Sequence, residues 1–184
     1  CYQHSGIEAA ARKAGAQVSL IDETRFVKTA IPGQGLKEWP LYRDILECDT
    51  IINVPVAKVH SSARYSLGIK NLMGILGGNR GLFHLQMHLW LADLMTKIQP
   101  KLTVLDAVRL RFRHGPTGGK LEDVRKMETL IAGPDFVAVD SFGVSLFNAG
   151  HNWKDVEHIK LAYEYGLGQA DLGLLNLKKY RFQS

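Results

Sequence analysis

Residues 51–74 read IINVPVAKVHSSARYSLGIKNLMG, an apolar run broken by a proline and followed at once by Lys58, His60, Arg64 and Lys70. Lysines held near the end of a strand and of a helix can fix a phosphate or a carboxylate, and Asn71 adds an amide beside them. A lysine buried in such a place can also surrender its proton more readily and serve as a base or nucleophile. His84 and His88 stand i, i+4 on one helix face, a spacing suited to a divalent metal. No glutamate adjoins His84, so the zinc-protease pattern is absent and a third ligand has to come from His60, His114 or Asp106. The same two histidines also fit an ordinary polar helix face.

Asp106 closes an apolar strand, where a carboxylate can do acid–base work or hold a cation. Asp135 is simplest as the N-cap of the helix that follows it. Asp140 falls inside an apolar helical stretch, and a buried carboxylate there needs a partner, for which Lys58 or Lys70 would serve. The candidates for catalysis are therefore Lys58, His60, Asp106 and Asp140. Those for ligand binding are Lys58, Lys70 and Asn71, and those for a metal are His84 and His88. His60 or His88 would move a proton or ligate the metal, while Asp106 or Asp140 would orient the cations. The glycine-rich GILGGNRG (74–81) has no lysine–hydroxyl pair behind it and reads as a connection between helices rather than an anion-binding nest.

These groups have to be positioned by regular elements. SGIEAAARKAG opens with Ser5 and has Glu8 three residues on, a capping-box start to a short helix, and 17–22 alternates like a strand. Residues 24–40 hold two glycines and two prolines and read as a loop. A short helix over 41–49 leads to a buried strand at 50–54, with Pro55–His60 as the loop beyond its carboxyl end. Helices are expected at 66–76 and 84–100, a strand at 101–108, and a loop at 115–119. A strand at 127–133, helices at 135–150 and 156–168, and a short strand at 172–177 complete the chain. Strands separated by helices point to an α/β fold: a single domain with a mixed or mainly parallel sheet covered by helices on both faces. In such sheets ligands gather beyond the carboxyl ends of strands, where Lys58 and His60 are expected.

At 184 residues, 46% hydrophobic and 22% charged, the chain has the composition of a globular domain. No apolar run approaches the ~18 residues of a transmembrane helix. The chain starts at Cys1 without a methionine and reads as a piece of a longer protein, either cytoplasmic or exported by a signal outside this stretch. Cys1 and Cys48 are too few for a disulfide framework or an iron–sulfur cluster within it. The formal charge is +5, but Lys and Arg are dispersed and not interleaved with aromatics, so an anionic small ligand is expected rather than nucleic acid.

The stretch NVPVAKVHSSARYSLGIKNLMGILGGNRG is similar to the signature of Domain of Unknown Function family 362: an apolar strand, a proline, Lys-x-His, then Lys-Asn-Leu-Met-Gly. IQPKLTVLDAVRLRFRHGPTGG, LIAGPDFVAVDSFGVSLF and AYEYGLGQADL follow in the same order, and SGIEAAARKAGAQV fits the start. The positions matching the family's polar pattern are Lys58, His60, Lys70, Asn71, His88, Asp106, Gly115, Pro116, Asp135 and Asp140. The resemblance implies a bacterial or archaeal protein associated with iron–sulfur or redox chemistry, since a ferredoxin-like cysteine cluster often accompanies the domain and other members carry a twin-arginine signal. This stretch departs from that pattern in having no Cys-x-x-Cys, so a cluster would lie outside it. The function expected is binding of a small anionic ligand or a metal at a Lys/His/Asp site. The alternative is a non-enzymatic module that docks a redox partner protein.

Overall fold

A computed structural model describes residues 2–181 of the chain. Its helices are α1 (Tyr2–Ser5), α2 (Ile7–Lys13), α3 (Arg43–Glu47), α4 (Gly68–Asn71), α5 (Arg80–Phe83), α6 (Met87–Lys97), α7 (Phe136–Ser145) and α8 (Glu157–Glu164). The strands are β1 (Phe26–Ala30), β2 (Glu38–Tyr42), β3 (Ile52–Asn53), β4 (Val56–His60), β5 (Arg64–Ser66), β6 (Leu102–Arg111) and β7 (Val124–Gly133). Strands β3–β7 form a mixed five-stranded sheet with helices around it, the α/β arrangement expected from the pattern of the sequence.

Strand β6 organises this sheet. β7 runs antiparallel along one edge of it, while β3 and then β4 pair in parallel with it in succession. The break between β3 and β4 falls at Pro55, which has no N–H to give a ladder. Its carbonyl still accepts the Asp106 N–H at 2.8 Å. Pairing therefore resumes after the proline. Lys58 and His60 lie within β4, not in a loop beyond a strand, because a tight turn at 61–63 folds β5 back so that Lys58 faces Ser66 and His60 faces Arg64.

Thr103, Leu105 and Ala107 alternate along β6 toward a buried side, where α7 packs on β6 and β7. α4 and α8 lie against α7, and α6 lies against α8 and α4. The strand residues Ile52, Val56 and Leu130, and Val54 in the break between β3 and β4, are exposed.

Elsewhere the expectations need correction. Residues 17–22 form no strand, and the segment read as a loop contains the β1–β2 hairpin, which makes a separate two-stranded sheet. Its prolines and glycines are confined to the connection and to Pro40, which β2 tolerates as one of only two strands in its sheet. The connection is pinned by a residue the sequence did not single out. Asp93 of α6, fully buried, accepts the Gln34, Gly35 and Leu36 N–H groups at 2.7–2.8 Å, and the Tyr165 hydroxyl donates to it at 3.2 Å. The helix expected over 66–76 is α4 followed by a 3-10 turn, and that over 84–100 is a 3-10 turn followed by α6. Residues 172–174 form a 3-10 turn instead of a strand.

Candidate functional site

The site is assembled around α4, a helix too short to hold itself in place. Leu67 at its N-cap offers no side-chain acceptor. The acceptor comes from α7: Gly68 N–H donates to Asp140 Oδ1 at 2.6 Å and Ile69 N–H to Asp140 Oδ2 at 2.9 Å. Burial pushes the Asp140 carboxyl up to about 7 against the opposing pull of these two bonds. Asn53 of β3 ties the two ends together: its Nδ2 donates to the Gly68 carbonyl and its Oδ1 accepts from Asn71 Nδ2. Position 68 has no room for a side chain, since a Cβ would lie 2.7 Å from Asp140 Oδ1 and 3.1 Å from a Thr103 methyl.

Anchored in this way, α4 presents Lys70, which is only 9% exposed. Its Nζ donates to the Met73 thioether at 2.7 Å, a weak acceptor for an ammonium. Burial, and then the charges of Lys58 and Arg80, push the Lys70 amine down to about 8. Among the described residues no ion pair involves Lys58, Lys70 or Arg80. Asp140, expected to pair with one of the lysines, is spent on backbone amides instead.

Histidines surround these cations. His60 Nδ1 accepts the Ser62 and Ala63 N–H groups at 3.2 Å, which places its hydrogen on Nε2. Burial, then Lys70, His84 and Lys58, hold His60 down to about 4, so the ring is neutral at pH 7. The His84 ring stacks on it at 6.4 Å, and burial and Lys70 hold His84 below the usual histidine range. His88 stacks on His158 at 5.3 Å with their Nδ1 atoms 3.1 Å apart, so the two rings share one hydrogen between them. His158 is fully buried, and its Nε2 meets no hydrogen-bond partner among the described residues. Burial, followed by His88, Lys70 and His60, pushes it down to about 3.

The structure thus brings Lys58, His60, Lys70, His84 and His88 into one electrostatic group and leaves other candidates out. Asn71 braces α4. Asp106 accepts the Val108 N–H at 2.8 Å on the side of β6 opposite Leu105 and Ala107. His114 binds Asp123 at 2.9 Å. The glycine-rich segment acts as a connection, with the Gly77 amide donating to the Pro40 carbonyl and the Gly81 amide to Asn79 Oδ1. Arg80 and His158 are the members that sequence reasoning missed. Arg80 sits in the quoted glycine-rich stretch, whereas His158 lies in an ordinary amphipathic helix and gives no signal. Surface grooves of about 610 and 470 Å³ lie elsewhere, around Cys48 and Lys97 and around His114 and Asp123. Each of them includes carboxylates, Asp49 in the first and Glu122 and Asp123 in the second.

His84 and His88 turn to different partners, and no group of three or more His, Cys, Asp or Glu among the described residues is disposed to hold a metal ion. An iron–sulfur cluster takes four thiolate ligands. The described residues offer one cysteine, Cys48, exposed beside the Ile45 carbonyl, and so do not fit such a cluster; Cys1 lies outside them. No helix among the described residues is long and apolar enough to cross a membrane.

A family model described as a domain of unknown function (DUF362) matches residues 1–145. The thylakoid-associated protein sll1697 of Synechocystis sp. is 27% identical to the chain over 128 residues, a match that takes in 65% of this chain and 39% of the relative. The chain therefore spans well under half the length of that relative. No solved structure matches it.

Proposed function

The chain belongs to the DUF362 family of domains of unknown function, and from that premise, which carries no chemistry of its own, we propose that it binds a small anionic ligand at the Lys58–Lys70–Arg80 group. One observation carries the proposal: Lys70 is buried, and the charges that act most on it are those of two further cations, Lys58 and Arg80, with His60 and His84 held below the usual histidine range beside them. Gathering like charges and burying one of them opposes folding, and an oxyanion would relieve it with charge-assisted hydrogen bonds. His84 and Arg80 are exposed, while Lys70 and His158 are buried. A divalent cation at His84 and His88 would sit among these positive charges, which favours an anion over a metal.

The test is calorimetric titration with inorganic phosphate and with small carboxylates at low salt. Saturable binding that Lys58→Met and Arg80→Met each weaken supports the proposal. Binding that neither substitution alters places any anion elsewhere and ends it.

A further inference from the structure

Resting on that anion site, we propose that Lys70 is an imine-forming residue, whose amine condenses with the carbonyl carbon of a small compound held by its carboxylate or phosphate group.

Four features carry this. Lys70 is buried on a helix held at Gly68 by Asp140 and at Asn71 by Asn53. Among the described residues its only hydrogen-bond acceptor is a thioether, which leaves the nitrogen lone pair available once the proton departs. Lys58 and Arg80 supply a site for the ligand's anion and disfavour a third positive charge between them. His60, with Nδ1 committed to its turn, presents Nε2–H as a fixed donor to a carbonyl oxygen. At pH 7 an amine titrating at about 8 has a neutral fraction roughly two orders of magnitude above that of an ordinary lysine.

The chemistry closes without an oxidant or reductant. The neutral Nζ attacks the carbonyl carbon, a C–N bond forms, and the C=O π electrons move to an oxygen that accepts the His60 hydrogen bond. A proton passes from nitrogen to that oxygen through water. The carbinolamine then expels water as C=N forms, and protonation gives an iminium ion. That cation can withdraw electrons from a bond adjacent to the former carbonyl, so the reaction class is carbon–carbon or carbon–hydrogen cleavage next to a carbonyl.

The experiment treats the whole chain at pH 7 with a carbonyl probe and sodium cyanoborohydride and maps the reduced adducts by peptide mass spectrometry. Pyruvate represents the carboxylate source and pyridoxal 5′-phosphate the phosphate source. The expected result is adduct at Lys70 at least about ten-fold above any other lysine, in keeping with its larger neutral fraction, and suppressed by inorganic phosphate. Lys58→Met, which keeps the amine, should lower trapping at Lys70, and the source it lowers more identifies the anion. Adduct spread over surface lysines, or absent from Lys70, overturns the proposal. If phosphate still binds by calorimetry while Lys70 stays unmodified, the imine falls and the anion site stands. If neither is seen, both fall.

Discussion

Replacing Lys70 by methionine should stabilise the free protein and weaken its anion binding, two effects of opposite sign from one substitution. The amine is pushed from its ordinary 10.5 down to about 8. Each tenfold loss of proton affinity corresponds to about 1.4 kcal/mol, so holding the charged form in this buried position opposes folding by roughly 3 kcal/mol at most. His84 and Arg80 are exposed, and screening by solvent reduces this to about 1–2 kcal/mol. Methionine fills similar space and meets the Met73 thioether without a charge. For a domain of this size the gain is a rise in Tm of about 3–6 °C. The sign can be checked along pH. Between pH 8 and 10.5 the unfolded lysine keeps its proton while the folded one has lost it, so wild-type stability rises through that window relative to the variant. Below pH 8 the difference is constant. A phosphate about 4 Å from the ammonium gains roughly 4 kcal/mol at an effective dielectric of 20. After screening, its loss should weaken binding by about ten- to a hundred-fold. Denaturant titrations of both proteins at pH 7 and pH 10, with calorimetry at pH 7, measure all of this. Destabilisation of the variant by more than about 1 kcal/mol, with no difference in slope between pH 8 and 10.5, would refute the account of a buried uncompensated charge.

Asp140→Ala strips the acceptor from two buried amides at the start of α4 and should lower stability by about 2–4 kcal/mol in denaturant titration. Gly68→Ala drives a Cβ against Asp140 and should cost about 1–3 kcal/mol, while displacing Lys70 enough to weaken anion binding in the same calorimetric assay. His158→Leu removes a buried ring with an unpartnered nitrogen and should raise stability by about 1 kcal/mol at pH 7. Because His158 titrates near 3 when folded, wild type should lose stability as pH falls from 6.5 toward 3, and melting curves of the variant should show a shallower loss.

The parts of this site that could be read from sequence were those where residue type alone sets the requirement. Asp140 inside an apolar helix had to find a partner, and it does. The partner is a pair of backbone amides, which no sequence pattern reveals because α4 is only a four-residue turn whose orphan donors exist only once it is placed. Lys58 and His60 were recognised as site residues but assigned to a loop. The proline that suggested an end is only an interruption, because β6 continues past it and supplies the next pairing partners. The β1–β2 hairpin was obscured because its connection carries the turn signals for the whole segment, and its stability comes from Asp93, some sixty residues away in sequence. His158 joins the site through the packing of α8 on α6, a tertiary contact that its own helix does not announce.

The turn after β4 has a consequence for what these side chains can accept. Because His60 Nδ1 is occupied by the Ser62 and Ala63 amides before any ligand arrives, its tautomer is chosen by the fold. Toward a ligand this ring can only give a hydrogen, as can the charged Lys58 and Arg80. Whatever faces these three groups must therefore bring lone pairs and no hydrogens of its own. This selects a fully deprotonated oxygen over a hydroxyl or an amine, and it does so without any rearrangement on binding.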